Sequence, residues 1–266
     1  YGGQQTDRDH YTGILPDDPV EQQIFFSNPP YGTSDVRTHQ GGVQVNHRFD
    51  RFLNGKTTLT GGIEYVHDDV FDEIPSYQFL VDQTTKNLGA FVQNDWDIND
   101  KINFLAGFRL DDHNLVDNAI FSPRLSLLYK FRETTQFRLG WGTGFRAPQA
   151  FDTDLHIAFA GGGVSRISLA DNLIEERSNS FTASINYDKA SEHLIAGFTL
   201  EGFYTHLDDA FFLFPVGNDE FGELFEKRNG SGATVKGITL EARANFDYVF
   251  ELEAGLTVQS SKFDQA

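Results

Sequence analysis

Residues 101–112 read KINFLAGFRLDD, and their side chains alternate between apolar and polar. One row is apolar and consists of Ile102, Phe104, Ala106, Phe108 and Leu110. The other row is polar or small and consists of Asn103, Gly107, Arg109 and Asp111. Because successive residues of a β-strand point to opposite faces, this stretch predicts a strand with one apolar face and one polar face.

The same alternation recurs along the chain in segments of about ten to thirteen residues, whereas ordinary strands have about five or six. The clearest further apolar rows begin at Leu59, Phe121, Phe137, Phe181, Ile238 and Leu252. No stretch approaches the roughly 18 apolar residues of a membrane-spanning helix. The pattern predicts an all-β protein and leaves two architectures open: a soluble sandwich with one wet face, or a transmembrane barrel whose apolar face meets lipid.

The connections between the segments favour the barrel, because short and long connections alternate strictly. The short ones are residues 50–55, 97–100, 132–134, 188–192 and 247–249. The long ones are residues 7–35, 68–85, 112–120, 147–177 and 208–233. All long loops therefore emerge on one side of the sheet, as in outer-membrane barrels with short periplasmic turns and long extracellular loops. Charge agrees, since Arg124, Arg138 and Glu241 all fall on polar rows.

Composition excludes several other classes of function. The 266 residues include no Cys, so disulfide scaffolds and thiolate chemistry are excluded. A net charge of −18 disfavours nucleic-acid binding, which needs a basic surface. The eight His are scattered, and GWGTGF at 140–145 lacks the Lys-Ser/Thr pair of a phosphate-binding loop. We therefore expect no enzyme activity and no intrinsic cofactor.

Two motifs in the middle of the chain resemble those of TonB-dependent outer-membrane receptors. GTGFRAP at 142–148 resembles the signature at the end of a barrel strand in that family, and NLIEERSNSF at 172–181 resembles the re-entry into the next strand. FVQNDWDIND at 91–100 and VKGITLEARANF at 235–246 resemble further hairpin segments. Together the matches span most of the chain in family order.

The resemblance implies an antiparallel barrel of about 22 strands that is closed by an amino-terminal plug. The pattern contains about ten complete strands plus the end of one more at residues 1–6, so we expect residues 1–266 to be a partial barrel domain without the plug and without the first and last barrel strands. We expect such an open sheet to have two unpaired edges.

The implied function is active uptake of a scarce nutrient across the outer membrane of a Gram-negative bacterium, energised by TonB. Ferric siderophores lead the ligand classes, ahead of other iron chelates, haem and cobalamin. The implied partners are the TonB complex, reached through the plug, and membrane lipid and lipopolysaccharide. Two alternatives remain open: a passive porin or adhesin barrel, and a barrel in a surface assembly whose loops bind protein partners.

The motif residues have predicted roles at the end of their strand. Gly142 and Gly144 lie on the polar row, where missing side chains allow a plug backbone or a crowded lumen to approach. Phe145 lies on the apolar row, and Pro148 ends strand pairing. We also expect Arg146 to form an ion pair with either Glu175 or Glu176, which would anchor the feet of the loop. The alternative is that all three side chains are solvated charges.

The long loops supply the ligand-contact candidates. Phe211, Phe212 and Phe214 form an apolar cluster that either contacts ligand or packs against neighbouring loops. Asp154 and His156 are candidates for polar ligand contacts. Acidic residues concentrate in these loops, and the sequence suggests Ca²⁺ binding at Asp68, Asp69, Asp208 and Asp209, with a merely solvated surface as the alternative.

Overall fold

The computed structural model describes residues 1–11, 15–149, 166–219 and 221–264, which are almost entirely β-structure. The strands, numbered in chain order, are β1 (Gly2–Tyr11), β2 (Tyr31–Phe52), β3 (Gly55–Ile74), β4 (Phe79–Asn99), β5 (Ile102–His113), β6 (Ile120–Arg132), β7 (Thr135–Arg146), β8 (Arg166–Leu169), β9 (Glu176–Ala190), β10 (Leu194–Asp208), β11 (Phe211–Asp219), β12 (Gly222–Asn229), β13 (Ala233–Phe246) and β14 (Phe250–Phe263). One helix, α1 (Pro19–Ser27), lies between β1 and β2. No helix in this part of the chain is long and apolar enough to cross a membrane.

Eleven strands form one open antiparallel sheet in the order β1-β2-β3-β4-β5-β6-β7-β9-β10-β13-β14. Each strand pairs with the next one in this order, so β1 and β14 are the edges. Strands β11, β12 and β8 form a separate small sheet, in which β8 pairs parallel to β12. The predicted count of about eleven strands and the two open edges are confirmed.

The sheet has the two faces that the alternation predicts. Residues paired across neighbouring strands share a face, so the apolar rows join into one continuous apolar face. Its large side chains are well exposed and include Ile63, Phe108, Leu139, Phe181, Leu200, Ile238 and Leu256. A soluble sandwich would bury this face beneath a second sheet, yet the only other sheet among the described residues has three short strands. The wall of a transmembrane barrel is the architecture that fits.

The five predicted short turns are confirmed. Only two or three residues separate β2 from β3, β4 from β5, β6 from β7, β9 from β10 and β13 from β14. Aromatic rings cluster at this end of the sheet, where Phe137 lies 6.5 Å from Tyr129 and 6.2 Å from Phe131 between ring centroids. Tyr187 and Phe198 stack at 5.7 Å in the same zone. Such a belt is typical of a membrane–water interface.

Four of the predicted long loops contain more β-structure than expected, and one of them, residues 147–177, contains β8. The strand end predicted at residues 1–6 continues to Tyr11, and the predicted loop 7–35 contains α1, which Asp18 caps by accepting hydrogen bonds from the backbone N–H of Val20 and Glu21. The predicted loop 68–85 is a continuation of β3 and β4 around a 3₁₀ turn at Pro75–Tyr77. The predicted loop 208–233 contains β11 and β12.

Burial explains why β3 and β4 continue past the predicted boundary. On the side of the polar face, Val70, Ile74, Phe79 and Val81 form a buried apolar cluster, against which Val36 and Tyr77 pack. The outward-facing neighbours Leu80 and Asp82 are exposed. At this height the inner face is therefore apolar as well, and the extended strands gain a small core of their own.

Candidate ligand-binding end and its loop anchor

Polar side chains at the end of β7 and the start of β9 contact the first residue of β11. Glu176 is 8% exposed, and its Oε1 accepts a hydrogen bond from the backbone N–H of Phe211 at 2.5 Å. Its Oε2 accepts from Arg146 Nη1 at 3.4 Å. The guanidinium carbon of Arg146 also lies 5.4 Å from the centre of the Phe211 ring. One buried carboxylate thus ties together the feet of two loops. We call Arg146, Glu176 and Phe211 the loop anchor.

Lys227 of β12 completes the surroundings of Phe211. It is 5% exposed, and its Nζ lies 4.6 Å from the centre of the Phe211 ring. The same ammonium donates to the backbone carbonyl of Gln149 at 3.3 Å. Two cations therefore lie over the Phe211 ring, and the negative face of the ring attracts each of them.

A second contact joins loops that arise from distant parts of the sheet. Arg166 of β8 pairs with Asp219 and donates from Nη1 to the carbonyl of Tyr77 at 3.2 Å. Its guanidinium lies 5.1 Å from the ring centre of Phe221, which in turn is 6.0 Å from the ring of Tyr77. Four strands separate β4 from β10 in the sheet, so this contact joins loops that are far apart in the strand order.

The predicted ligand contacts divide into two groups. Phe211 belongs to the loop anchor, and Phe212 packs at 4.7 Å against Phe263 of β14. Phe214 is 39% exposed, and the guanidinium carbon of Arg228 lies 5.5 Å from the centre of its ring. Of the three, Phe214 is the best placed for ligand contact. Asp154 and His156 lie outside the described residues.

The family motif lies where the sequence places it. Arg146 ends β7, and Pro148 follows without strand pairing. A Cβ added to Gly144 would lie 3.0 Å from Ser178 Oγ, and one at Gly142 would lie 3.4 Å from Arg124 Cβ, so neighbouring side chains fill this space. The ring of Phe145 lies 6.4 Å from that of His113. Glu175 pairs with Arg177 at 2.6 Å rather than with Arg146.

The aspartates suggested for Ca²⁺ binding do not converge. Adjacent residues on β3 face opposite ways, so Asp68 approaches Thr85 Oγ1 at 3.5 Å while Asp69 accepts from Thr84 Oγ1 at 2.6 Å. The hydrogen bond from Thr84, followed by that from His67, lowers the pKa of Asp69. Asp208 lies 3.3 Å from His206 Nε2, and Asp209 has a left-handed backbone with φ of 54°. Within the described ranges, no group of three or more His, Asp or Glu is arranged for a metal ion.

On the polar face, some charged side chains on two strands pair across a third strand that lies between them. The middle strand has a glycine at the crossing point. Arg109 contacts Asp111 at 2.8 Å and reaches over Gly89 to Glu64 at 3.1 Å. Gln40 donates to the same glutamate at 2.7 Å. Arg243 and Asp188 likewise pair across Gly197. These glycines are required by space, because a side chain at either position would occupy the path of the pair.

We expect Gly89→Leu to break the network around Arg109. A Cβ at residue 89 would lie 2.0 Å from Arg109 Nη2, so the guanidinium must leave Glu64 and the buried Asp111. The expected loss of unfolding free energy in the full-length protein is about 1–2 kcal/mol, measured by urea titration. Gly202→Leu is the control, since a Cβ there meets nothing within 4 Å. Equal stabilities of the two variants would contradict the assigned role of Gly89.

Comparison with known families matches residues 1–265 to the β-barrel of the TonB-dependent receptors. The chain belongs to this family. The match covers the strands, the short turns and the loop anchor together. The family assignment therefore applies to the described sheet as a whole. The apolar face corresponds to the face that such barrels turn to lipid.

Solved structures of the same fold agree. The siderophore receptor PirA from Pseudomonas aeruginosa has 17% identity and a TM-score of 0.69 over 86% of this chain and 44% of its own. The ferric enterobactin receptor PfeA of the same species has 18% identity and a TM-score of 0.71 over 97% of this chain and 40% of its own. The iron transporter FrpB from Neisseria meningitidis has 17% identity and a TM-score of 0.66 over 97% and 40%. The named relatives are receptors and transporters.

This chain therefore spans 40% to 44% of the length of these three structures. No curated protein matches its sequence. At identities below one fifth, the solved structures establish the fold of the TonB-dependent receptor and leave its ligand to the chemistry of the site.

Sequence reasoning missed several residues that shape the site. Arg166, Lys227 and Arg228 were not singled out, although each lies over a phenylalanine ring. The sequence feature that could have identified them is the scarcity of basic residues. In a strongly acidic protein, a basic residue in a loop is a candidate for a specific contact.

Proposed function

We propose that this protein is an outer-membrane receptor of a Gram-negative bacterium that actively imports a ferric siderophore or a related iron chelate with energy from TonB. The observation that carries the proposal is the family match over residues 1–265. Solved structures of the same fold include a siderophore receptor and a ferric enterobactin receptor in complex with enterobactin, which supports an iron chelate as the ligand.

The charge pattern at the long-loop end also supports this ligand class. The protein is strongly acidic overall, yet Arg146, Arg166, Lys227 and Arg228 gather around the small sheet, and each lies over an aromatic ring. Cations held beside aromatic rings suit an anionic ligand with flat, polarisable groups. In this proposal, the exposed Phe214 and Arg228 make first contact with the ligand.

The proposed transport pathway runs along the polar face. A plug filling the barrel would contact the charge pairs Glu64–Arg109 and Asp188–Arg243, which present hydrogen-bonding groups to the lumen. We propose that the TonB complex acts on this plug. A passive porin has no such requirement, so energy dependence separates the two mechanisms.

The test is uptake of radiolabelled iron by a deletion strain with and without the full-length gene. Ferric siderophores of different classes, haem and labelled cobalamin are supplied one at a time, with and without a protonophore that removes the energy source of TonB. We expect gene-dependent uptake of one iron chelate, which the protonophore abolishes. Uptake that persists with the protonophore would support a passive porin, and the absence of gene-dependent uptake of every ligand would contradict the proposal.

A further inference from the structure

Two histidines that are distant in the sequence lie side by side on the outer side of the sheet. His39 of β2 pairs with His67 of β3, and their rings are 6.4 Å apart between centroids at an interplanar angle of 76°. Both project from the same side as Ile63, because paired residues share a face and so do alternate residues of one strand. We call His39 and His67 the histidine pair.

The histidine pair lies at the long-loop border of the apolar face. Along β3, His67 follows Leu59, Ile63 and Tyr65 on this side, and Asp69 comes next. Tyrosine marks the interfacial level of a membrane, so the pair lies where the strands enter the external medium. His39 is exposed, and the His67 side chain is 25% exposed. Ions of the medium can therefore reach both rings.

Hydrogen bonds orient the His67 ring. Its Nε2 lies 3.0 Å from Asp69 Oδ2, and the other oxygen of Asp69 accepts from Thr84 Oγ1 at 2.6 Å. A carboxylate in this position accepts a hydrogen bond from Nε2–H, which leaves the lone pair on Nδ1. That Nδ1 has only a long contact of 3.4 Å with the hydroxyl of Tyr65. An imidazole that donates its other N–H to a carboxylate is the usual arrangement of a metal-ligating histidine.

The His39 ring is oriented from its opposite side. Its Nδ1 lies 2.9 Å from the hydroxyl of Tyr1, and a Cβ added to Gly3 would lie 3.3 Å from the same nitrogen. Both neighbours belong to the β1 side, so Nδ1 points away from β3. When Nδ1–H donates to the Tyr1 hydroxyl, the lone pair of His39 lies on Nε2, which forms no hydrogen bond with the part of the chain that the structure describes.

The spacing of the rings suits a single metal ion between them. Two imidazole nitrogens at about 2.1 Å from a tetrahedral ion place their ring centres about 5 Å apart, so side-chain rotations that bring the rings about 1 Å closer are sufficient. The charges around the pair are balanced. Arg37 pairs with Asp35 at 2.6 Å, and Lys86, which is opposite His67 on β4, is offset by Asp69. No excess of positive charge therefore opposes a bound cation.

We propose that the histidine pair binds a divalent transition-metal ion through His39 Nε2 and His67 Nδ1, with Asp69 as the carboxylate that orients His67. Imidazole suits Cu²⁺, Zn²⁺ and Ni²⁺, and Cu²⁺ binds most tightly in this series, whereas Ca²⁺ and Mg²⁺ prefer oxygen ligands. Two protein ligands leave the remaining positions of the ion for water. The ion joins β2 to β3 where both strands leave the apolar layer, and the site is independent of which nutrient is imported.

The test is Cu²⁺ titration of the full-length protein, purified without a histidine tag and stripped with a chelator, with electron paramagnetic resonance of the bound ion. We expect a signal that shows coupling to two imidazole nitrogens. Asp69→Asn keeps both ligands and weakens the orienting contact, so we expect about tenfold weaker binding. His39→Gln and His67→Gln each remove a ligand, so each should weaken binding further and abolish the two-nitrogen signal.

The matched control is His47→Gln. His47 lies on the same side of β2 at the short-turn end, opposite Leu59, and its ring packs at 4.4 Å against that of Phe49, so this variant should bind Cu²⁺ as the unmodified protein does. Zn²⁺ should compete for the site and Ca²⁺ should not. Equal affinity of His39→Gln and the unmodified protein would overturn the proposal, as would competition by Ca²⁺ or an equal loss in His47→Gln. Heat-modifiable migration on gels checks that every variant is assembled.

Discussion

Leu240→Arg is expected to destabilise the full-length protein in the membrane by about 2–4 kcal/mol. Leu240 lies on the apolar face near the middle of β13, between Leu200 and Leu256 on the neighbouring strands. An arginine there places a charge in the hydrocarbon layer without a partner, whereas the polar face tolerates charge. The measurement is the free energy of unfolding in lipid vesicles, with assembly followed by heat-modifiable migration on gels.

The matched control is Thr239→Arg, one residue earlier in the same strand. Thr239 faces the polar side opposite Glu201, which offers the new guanidinium a partner. We expect the control to lie within about 1 kcal/mol of the unmodified protein. A control that is as unstable as Leu240→Arg would mean that the two faces do not differ in environment.

Glu176→Leu is expected to release the first residue of β11 from the start of β9 at a cost of about 2–3 kcal/mol. The change leaves the N–H of Phe211 without its acceptor and Arg146 without its carboxylate. The magnitude is below that of a fully buried pair because the Arg146 side chain is 42% exposed. We expect faster proteolysis within residues 208–233 and weaker binding of the imported ligand.

Glu175→Leu is the control for this anchor. Its carboxylate pairs with Arg177, whose side chain is half exposed, so we expect an effect below about 1 kcal/mol and no change in proteolysis. A double-mutant cycle with Arg146→Gln and Glu176→Gln should give a coupling of about 1 kcal/mol. Purely additive effects would show that the two side chains are merely near each other.

The sequence predicts the sheet well because its signals are local. A strand such as 102–113 shows its two faces through its own alternation, and the short turns follow from where the alternation stops. The loop anchor was partly predictable because the family motif marks Arg146 and the strand that begins at Glu176. The choice between Glu175 and Glu176 depends on which of the two side chains points toward Arg146 where the loop joins β9. The sequence alone does not determine this.

The remainder depends on contacts between distant segments. Arg166 donates a hydrogen bond to the backbone carbonyl of Tyr77, which is 89 positions away in the chain, and no local sequence pattern predicts that contact. The extension of β3 follows from a buried cluster that forms only when β2, β3 and β4 are paired. The gap on the apolar face between Leu139 and Ile238 requires Ala183 and Gly202 to be in register on neighbouring strands, which is a property of pairing rather than of either segment.

A single-cysteine scan of residues 238–242 tests most directly the claim that this sheet is the wall of a membrane barrel. The 266 residues contain no Cys, so each label reports one position once any other cysteine of the full-length protein is removed. Nitroxide labels at Ile238, Leu240 and Ala242 should collide mainly with oxygen dissolved in lipid, and labels at Thr239 and Glu241 mainly with a water-soluble nickel chelate. Equal access of the nickel chelate to all five positions would contradict a lipid-facing apolar face.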